Sequence, residues 1–477
     1  MNFHAWAGSP GEPGRVLDLR VPGALDDLVE HYGAVQPDVL REILSQAYRL
    51  GAQMAVVEYR YLDPDYRNEH SRFYSGTFRR YPSVAHRIHF WSAPPPEELD
   101  DPHRPATFPA ADYQGYTVIR PVPGAPIGRT MLQPPEHLRP YIGCLSLDET
   151  NLFGVKYRVR ASPFTAQDAQ LGVCAHASLW EIAYYHHLEY QAPRYLPGEI
   201  TDAAPAGAGV GRPTPSLNLT VNQLVEASRI IGLPCLLYRI IGSAQVIRLA
   251  CPYLNSGIPV IVAGGGHAFT LVGYQPIRRR DGSKWIQFIR QDDEVGPYQE
   301  VNNVDTDDYA PWMYLIVPLP KKVYLSGEKA EALGIQRLRA DLSESSVGEH
   351  QRLLERVNAQ EVKFRTTLVR SNDFKRDLID RGLEELTASI YRRIGMSKWI
   401  WVVEATAVAE RDEGSDCVLA EAVIDSTDHL RDLNVLARRI PQTLYQWLPD
   451  EDQHQVFREL PESPPLRCLA RVSQRVT

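Results

Sequence analysis

The run Cys174–Tyr190 (CAHASLWEIAYYHHLEY) constrains this chain more than any other stretch. It contains neither Gly nor Pro. Its apolar side chains, Leu179, Trp180, Ile182, Ala183, Tyr184 and Leu188, fall on nearly every side of a 3.6-residue period. A helix that is apolar almost all round has no face to offer water, so it must be the buried centre of a domain. Pro193 closes the run. The rest of the chain has to supply the layers that cover it.

The composition can do so. Among 477 residues, 44% are hydrophobic and 23% charged, the usage of an ordinary globular protein of several domains. The net charge of -8 argues against a chain-wide footprint for nucleic acid. No stretch approaches the ~18 consecutive apolar residues of a membrane helix. Met1–Trp6 (MNFHAW) lacks the basic and apolar blocks of a secretory signal. The six cysteines are scattered and show no C-x-x-C spacing, which predicts no disulfide framework and fits a reducing cytosol. The expectation is a cytoplasmic protein with no nucleic-acid or membrane partner.

Three regions are predicted: 1–150, 151–320 and 321–477. In the first, Pro37–Leu50 reads as a helix stopped by Gly51. Met54–Leu62, Val84–Trp91, Tyr116–Arg120 and Thr130–Leu132 read as strands. The last region shows helical runs at Glu349–Val357 and Phe374–Ile394, strands at Trp399–Ala405 and Cys417–Ile424, and a further helix over Leu430–Trp447. Both flanking regions are α/β in character and announce no chemistry. No repeat of solenoid period is present.

The middle region carries the chemistry. Cys174 opens the buried helix, at the positive end of its dipole, a position that favours the thiolate. Gly257–Tyr274 (GIPVIVAGGGHAFTLVGY) places His267 between three glycines and an apolar strand; the glycines suggest close approach of another element. Asp281-Gly282 is a hairpin signal that would fold Lys284–Arg290 back along Ala268–Gln275. Asp292 would then arrive beside His267, with Asp293 the alternative. A nucleophilic cysteine needs a base and a group that orients the base, and Cys174, His267 and Asp292 supply these roles. The oxyanion formed on attack needs preorganised donors. The Cys174 backbone N–H is one; Gln167 or Gln170 offers a side-chain amide, Gln167 being preferred for its longer tether.

Together, Gln…Cys opening a buried helix, Gly-His-Ala-Phe-Thr-Leu-Val-Gly-Tyr and a hairpin ending in Asp resemble the papain-like cysteine peptidase superfamily. The closest likeness is to its bacterial branch, which includes double-glycine leader peptidases. Leu219–Leu233, a Thr-capped helix ending at Gly232, matches a helix common in that branch. The resemblance covers about residues 160–320. It implies an α+β fold whose papain-like core packs a nucleophile helix on an antiparallel sheet. It further implies a thiol hydrolase that cleaves a peptide or isopeptide bond in a peptide or protein substrate, with no cofactor and no metal. Three departures stand out: the glutamine spacing, Ala175 where glycine is usual, and a His–Asp gap stretched by Arg278–Gly282. The same fold hosts acyltransferases and amide-forming enzymes. A peptide-binding scaffold, with a protein partner held through the flanking regions, is the non-catalytic alternative.

Other motifs carry less. His176 points to another face of the helix than Cys174 and reads as packing. His186-His187 lacks a metal-ligand partner. His86 and His89 fall on opposite faces of one strand. Gly207–Gly211 is no phosphate loop, since no Lys-Ser/Thr follows. Pro193–Pro215 reads as a loop, and Arg278–Arg280 as a solvated hairpin tip.

Overall fold

The computed structural model describes residues 13–32, 37–96, 108–122, 126–168, 173–204, 219–278, 284–302, 313–407, 417–428, 434–448, 453–461 and 466–469. It is a mixed α/β structure built on antiparallel sheets. The chain forms two units. One comprises Met1–Ser243 with Ile258–Leu319, the other Ala244–Gly257 with Pro320–Thr477.

In the first unit, strands β1 (Gly14–Asp18), β2 (Met54–Tyr61), β3 (Ala85–Trp91), β4 (Tyr113–Ile119) and β5 (Ile127–Leu132) pair antiparallel in sequence order. Helices α1 (Ala24–Tyr32) and α2 (Pro37–Arg49) precede β2. Leu40, Ile43, Leu44 and Ala47 of α2 share one helical face and bury it against Ala55, Val57, Ile88 and Phe90 of the sheet. Gly51 ends the segment at φ 78, in the left-handed region that glycine adopts without penalty. His86 and His89 do face opposite sides of β3. The His86 ring meets the Tyr32 hydroxyl and the His89 ring the Tyr113 hydroxyl, each at 2.8 Å.

Next come α3 (Pro64–Arg72) and a hairpin of β6 (Ser146–Leu152) and β7 (Val155–Ala161). The boundary drawn at residue 150 falls inside β6. Helix α4 (Cys174–Tyr190) follows, then α5 (Pro197–Ala203), α6 (Val221–Ile230) and β8 (Cys235–Arg239). The remaining strands of this unit are β9 (Val260–Gly264), β10 (His267–Arg278), β11 (Lys284–Asp292), β12 (Gly296–Asn302) and β13 (Tyr314–Pro318). Together with β8 they form a six-stranded sheet in the order β12-β11-β10-β9-β13-β8, antiparallel at every pairing.

The apolar circumference of α4 is explained by its neighbours. The helix is packed by β9 and β10, by β6, and by α5 and α6, and every residue from Cys174 to His186 is buried. Leu179, Ile182 and Ala183 join a core cluster with Val56, Val118, Met131, Ile261 and Ala268. Truncating Leu179, which is wholly buried, to alanine should cost about 2–5 kcal/mol. Within the expected loop Pro193–Pro215, Pro197–Ala203 is helix α5, anchored to α3 by the Gly198 N–H on Asn68 Oδ1 at 2.8 Å and by the Arg72–Asp202 ion pair. Gly207–Gly211 lies outside the described residues.

The second unit begins with α7 (Ser243–Asn255), which joins it from Ala244 onward. It continues through α8 (Gly327–Glu344), α9 (Gly348–Asn358), β14 (Val362–Arg370), α10 (Ser371–Asp377) and α11 (Glu385–Arg393). Strands β15 (Trp399–Ala407), β16 (Cys417–Asp425), β17 (Val435–Ile440), β18 (Thr443–Leu448), β19 (Gln453–Phe457) and β20 (Leu466–Arg467) complete it. They form an antiparallel sheet in the order β14-β15-β16-β17-β18-β19, with β20 beside β16. Helix α7 and the residue that follows it are tied in by their side chains. The Tyr253 hydroxyl accepts the Gly327 N–H at 3.0 Å, and Ser256 Oγ accepts the Leu368 N–H at 2.7 Å.

Two sequence expectations fail here. The helix expected over Leu430–Trp447 is, where described, the hairpin of β17 and β18. Pro441 would break a helix interior; it sits instead in the turn, followed by Gln442 at φ 53. The single run Phe374–Ile394 is two helices, α10 and α11, interrupted around Gly382 at φ 102. Among the described residues no helix is long and apolar enough to cross a membrane.

Candidate active site

Cys174 is the first residue of α4, after the extended N-cap Val173. Valine offers no capping oxygen, and His176 supplies the missing function. Its Nδ1 accepts the Val173 N–H at 3.3 Å. Burial lowers its pKa to about 4, so the ring is neutral at ordinary pH and free to accept. His176 is therefore a packed helix residue with a definite task. His186 is buried, which lowers its pKa to about 3. His187 Nδ1 meets the Ala192 carbonyl at 2.8 Å past the end of the helix.

His267 is placed by a turn. It pairs with Gly264 across β9 and β10, and Gly265 and Gly266 form the two-residue connection at φ 61 and 86. Positive φ at both central residues is what a type I′ hairpin requires. A Cβ on Gly266 would meet nothing within 4 Å. Gly265 and Gly266 thus supply the backbone conformation of the turn, and at Gly266 no other element makes the close approach that the sequence suggested.

Strand β11 brings the carboxylate. Its register on β10 runs from Arg278↔Lys284 to Thr270↔Gln291, with one irregularity between Leu271 and Gly273. The hairpin tip at 279–283 lies outside the described residues, as does the side chain of Arg278. Asp292 arrives with Oδ1 3.0 Å from His267 Nε2. The same oxygen accepts the Glu294 N–H at 3.1 Å, and Oδ2 pairs with Arg290 Nη1 at 2.8 Å. Arg290 in turn lies over the Phe269 ring, 4.7 Å from its centroid.

Burial alone would raise the Asp292 pKa. The hydrogen bond from His267 and the charge of Arg290 outweigh it and hold the carboxyl below its ordinary value. Burial likewise opposes a charge on His267. The hydrogen bond to Asp292 and the nearby Cys174 thiol, with the charges of Asp292 and Asp293, overcome that and push its pKa up to about 11. Nε2 is engaged by Asp292, while Nδ1 is buried without a well-formed hydrogen bond among the described residues. Glu294 Oε1 is 3.8 Å from Nδ1.

Cys174 and His267 line one cleft of about 310 Å³. Leu219, Leu224, Met313 and Tyr314 form its apolar side and Gly264–Gly266 its rim. Cys174 is 8% exposed. Gln167 is half-buried ahead of the helix, and Gln170 lies outside the described residues. The structure thus brings together Cys174, His267 and Asp292; among the described residues Gln167 makes no hydrogen bond to any of them.

Asp293 has a different place from Asp292. It is buried, neither carboxylate oxygen has a hydrogen-bond partner among the described residues, and Oδ1 is 4.0 Å from His267 Nε2. Burial, aided by the charges of Asp292 and Glu294, raises its pKa to about 7. His267, Asp292 and Asp293 offer donor atoms within 4.8 Å of one another. A cation there would have to displace the proton that His267 Nε2 gives to Asp292, beside the Arg290 guanidinium. That donor set suits a held proton better than a metal ion.

Arg290 and the capping role of His176 escaped the sequence reading. The pattern Arg290-x-Asp292 on a strand puts both side chains on one face, and that spacing was the available signal. His176 had no comparable signal, because ring capping at N3 depends on the rotamer. The sequence matches no protein-family model, and no curated protein matches it.

Proposed function

We propose that the chain is a papain-like cysteine peptidase that hydrolyses a peptide or isopeptide bond, with α4 as the nucleophile helix packed on the β8–β13 sheet. The observation that carries this reading is the convergence of a helix-opening thiol and an Asp-bound imidazole on one cleft. With Nε2–H donated to Asp292, the His267 atom left for proton transfer is Nδ1. Nδ1 takes the Cys174 proton, and the thiolate attacks the substrate carbonyl carbon. The C=O electron pair moves onto oxygen, where the Cys174 backbone N–H and Gln167 are the proposed donors. The first N–H groups of a helix have no intrahelical acceptor, so that of Cys174 can serve. Collapse expels the amine, which receives its proton from Nδ1–H and leaves an acyl-thioester. Water, deprotonated by the same nitrogen, then releases the acid. Asp292 orients the ring and stabilises the imidazolium. The apolar cleft wall favours an apolar substrate side chain near the scissile bond.

A panel of peptides carrying electrophilic traps, followed by intact-mass and peptide mapping, tests this. Adduct formation at Cys174 is expected. Turnover of the peptide selected by the panel should fall at least about 10³-fold in Cys174→Ala, with the unfolding midpoint little changed. Unchanged turnover in that variant would contradict the proposal.

A further inference from the structure

The segment that carries Gln167 is held from two sides. Facing the six-stranded sheet, the Ser162 N–H donates to the Tyr298 hydroxyl at 2.8 Å, and Gln291 Nε2 donates to the Ser162 carbonyl at 3.1 Å. Facing the five-stranded sheet, Phe164 exchanges backbone hydrogen bonds with Thr130, at 2.8 and 3.1 Å. The last two anchors bracket Gln167. Arg120 Nη2 donates to the Ala166 carbonyl at 3.0 Å, and the Tyr74 hydroxyl donates to Asp168 Oδ2 at 2.7 Å.

Both anchors are themselves fixed. Arg120 is buried, bound through Nη1 to both oxygens of Glu69 at 2.9 and 3.1 Å, and through Nη2 to the Ile127 carbonyl at 2.8 Å. Tyr74 is buried against Tyr66 and Tyr81. Neither residue reaches the cleft that holds Cys174. Gln167 thus sits between two immobilised neighbours, six residues ahead of Val173, on the approach to the nucleophile helix.

We propose that Tyr74 and Arg120 are positioning residues for Gln167, so that the N-terminal sheet is a structural part of the oxyanion site. The proposal rests on the thiol-hydrolase reading. An amide donor stabilises an oxyanion only when it is held at the right point before charge develops. Two neighbours pinned by short buried hydrogen bonds provide that constraint, and a loop free to wander does not.

Two reactions at one sulfur separate this role from simple folding support. Alkylation by iodoacetamide displaces iodide at a CH₂ carbon and passes through no tetrahedral oxyanion. Acylation by p-nitrophenyl acetate adds the thiolate to a carbonyl, builds an oxyanion and then expels p-nitrophenolate. In Tyr74→Phe, which keeps the ring and loses one hydroxyl, acylation of Cys174 should slow about tenfold or more, with alkylation within about twofold of the parent. Asp168→Ala should behave the same way. Asp168→Asn, which retains an acceptor for Tyr74, should acylate close to the parent rate.

Acylation unchanged in both Tyr74→Phe and Asp168→Ala would overturn the proposal. So would an equal loss of both reactions, which is the signature of general disruption, or an Asp168→Asn variant as slow as Asp168→Ala. If Cys174 of the parent protein is not selectively alkylated at all, the thiol-hydrolase reading fails and the positioning role fails with it.

Discussion

Two adjacent aspartates with opposite titration behaviour show how much burial context decides at the residue scale. Asp292 is held ionised by His267 and Arg290, whereas Asp293 has no hydrogen-bond partner among the described residues and is pushed up to about 7. An acid whose folded pKa lies above its ordinary 3.8 lends stability at low pH. It loses that contribution as pH rises from about 4 through about 7. Asp293→Asn should therefore gain on the parent with rising pH, by up to about 4 kcal/mol at pH 8 relative to pH 4. Urea unfolding at the two pH values measures this, and an equal offset at both would contradict it. His267 has the opposite limits. Its raised pKa stabilises the fold fully below about 6.5, and that contribution fades as pH climbs toward about 11. Asp292 contributes above about 3.8 and loses its share as pH falls below its depressed value. Cys174, His267 and Asp292 were legible because residue type and position in an element were enough to bring them together. The environment of Asp293 was not, since it depends on which atoms surround two oxygens.

Hairpin geometry decides the element scale. The Gly265-Gly266 turn sets where β10 begins, and so where the His267 ring stands. Gly266→Val places a β-branched residue at φ 86, which should cost about 1–2 kcal/mol or more. It should also slow Cys174 alkylation by displacing the ring. Gly265→Asn, at φ 61, should be tolerated, because asparagine enters the left-handed region readily. Alkylation rates and unfolding midpoints of the two variants check this; equal rates in both would show that the turn does not set the ring position. Strands with clear alternation or β-branched runs, such as β3, β10, β11 and β15, were readable. The hairpin of β17 and β18 was misread as a helix although Pro441 already argued against one. Helix α8 was not read at all: its Gly327, Gly334 and mixed charges give a weak periodic signal, and it is burial of Leu338 and Leu342 that supports it.

At the scale of the whole molecule, the chain order conceals how the units are built. The second unit takes Ala244–Gly257 from the middle of the sequence, tying Tyr253 to Gly327 and Ser256 to Leu368. No sequence pattern marks that exchange, because α7 is an ordinary amphipathic helix until its partners are known. A fragment ending at residue 320 would strip α7 of those partners and leave the buried Tyr253, Leu249 and Leu254 without cover. Such a fragment should bind a hydrophobic dye and aggregate, while the full chain does not. A fragment as soluble and dye-silent as the full chain would contradict this division. The Cys–His–Asp constellation lies wholly within the first unit, which explains why it was legible without knowledge of the second.

The central claim is that the Cys174 sulfur and the His267 ring act as one reactive pair. Time-resolved peptide mapping after low-dose iodoacetamide near neutral pH tests it most directly, with the parent protein and His267→Ala compared side by side. Cys174 should be modified well before Cys144, Cys235, Cys251, Cys417 and Cys468 in the parent, and that preference should vanish in the variant. Equal rates at Cys174 in the two proteins, or a Cys174 that stays unmodified while other thiols react, would contradict it.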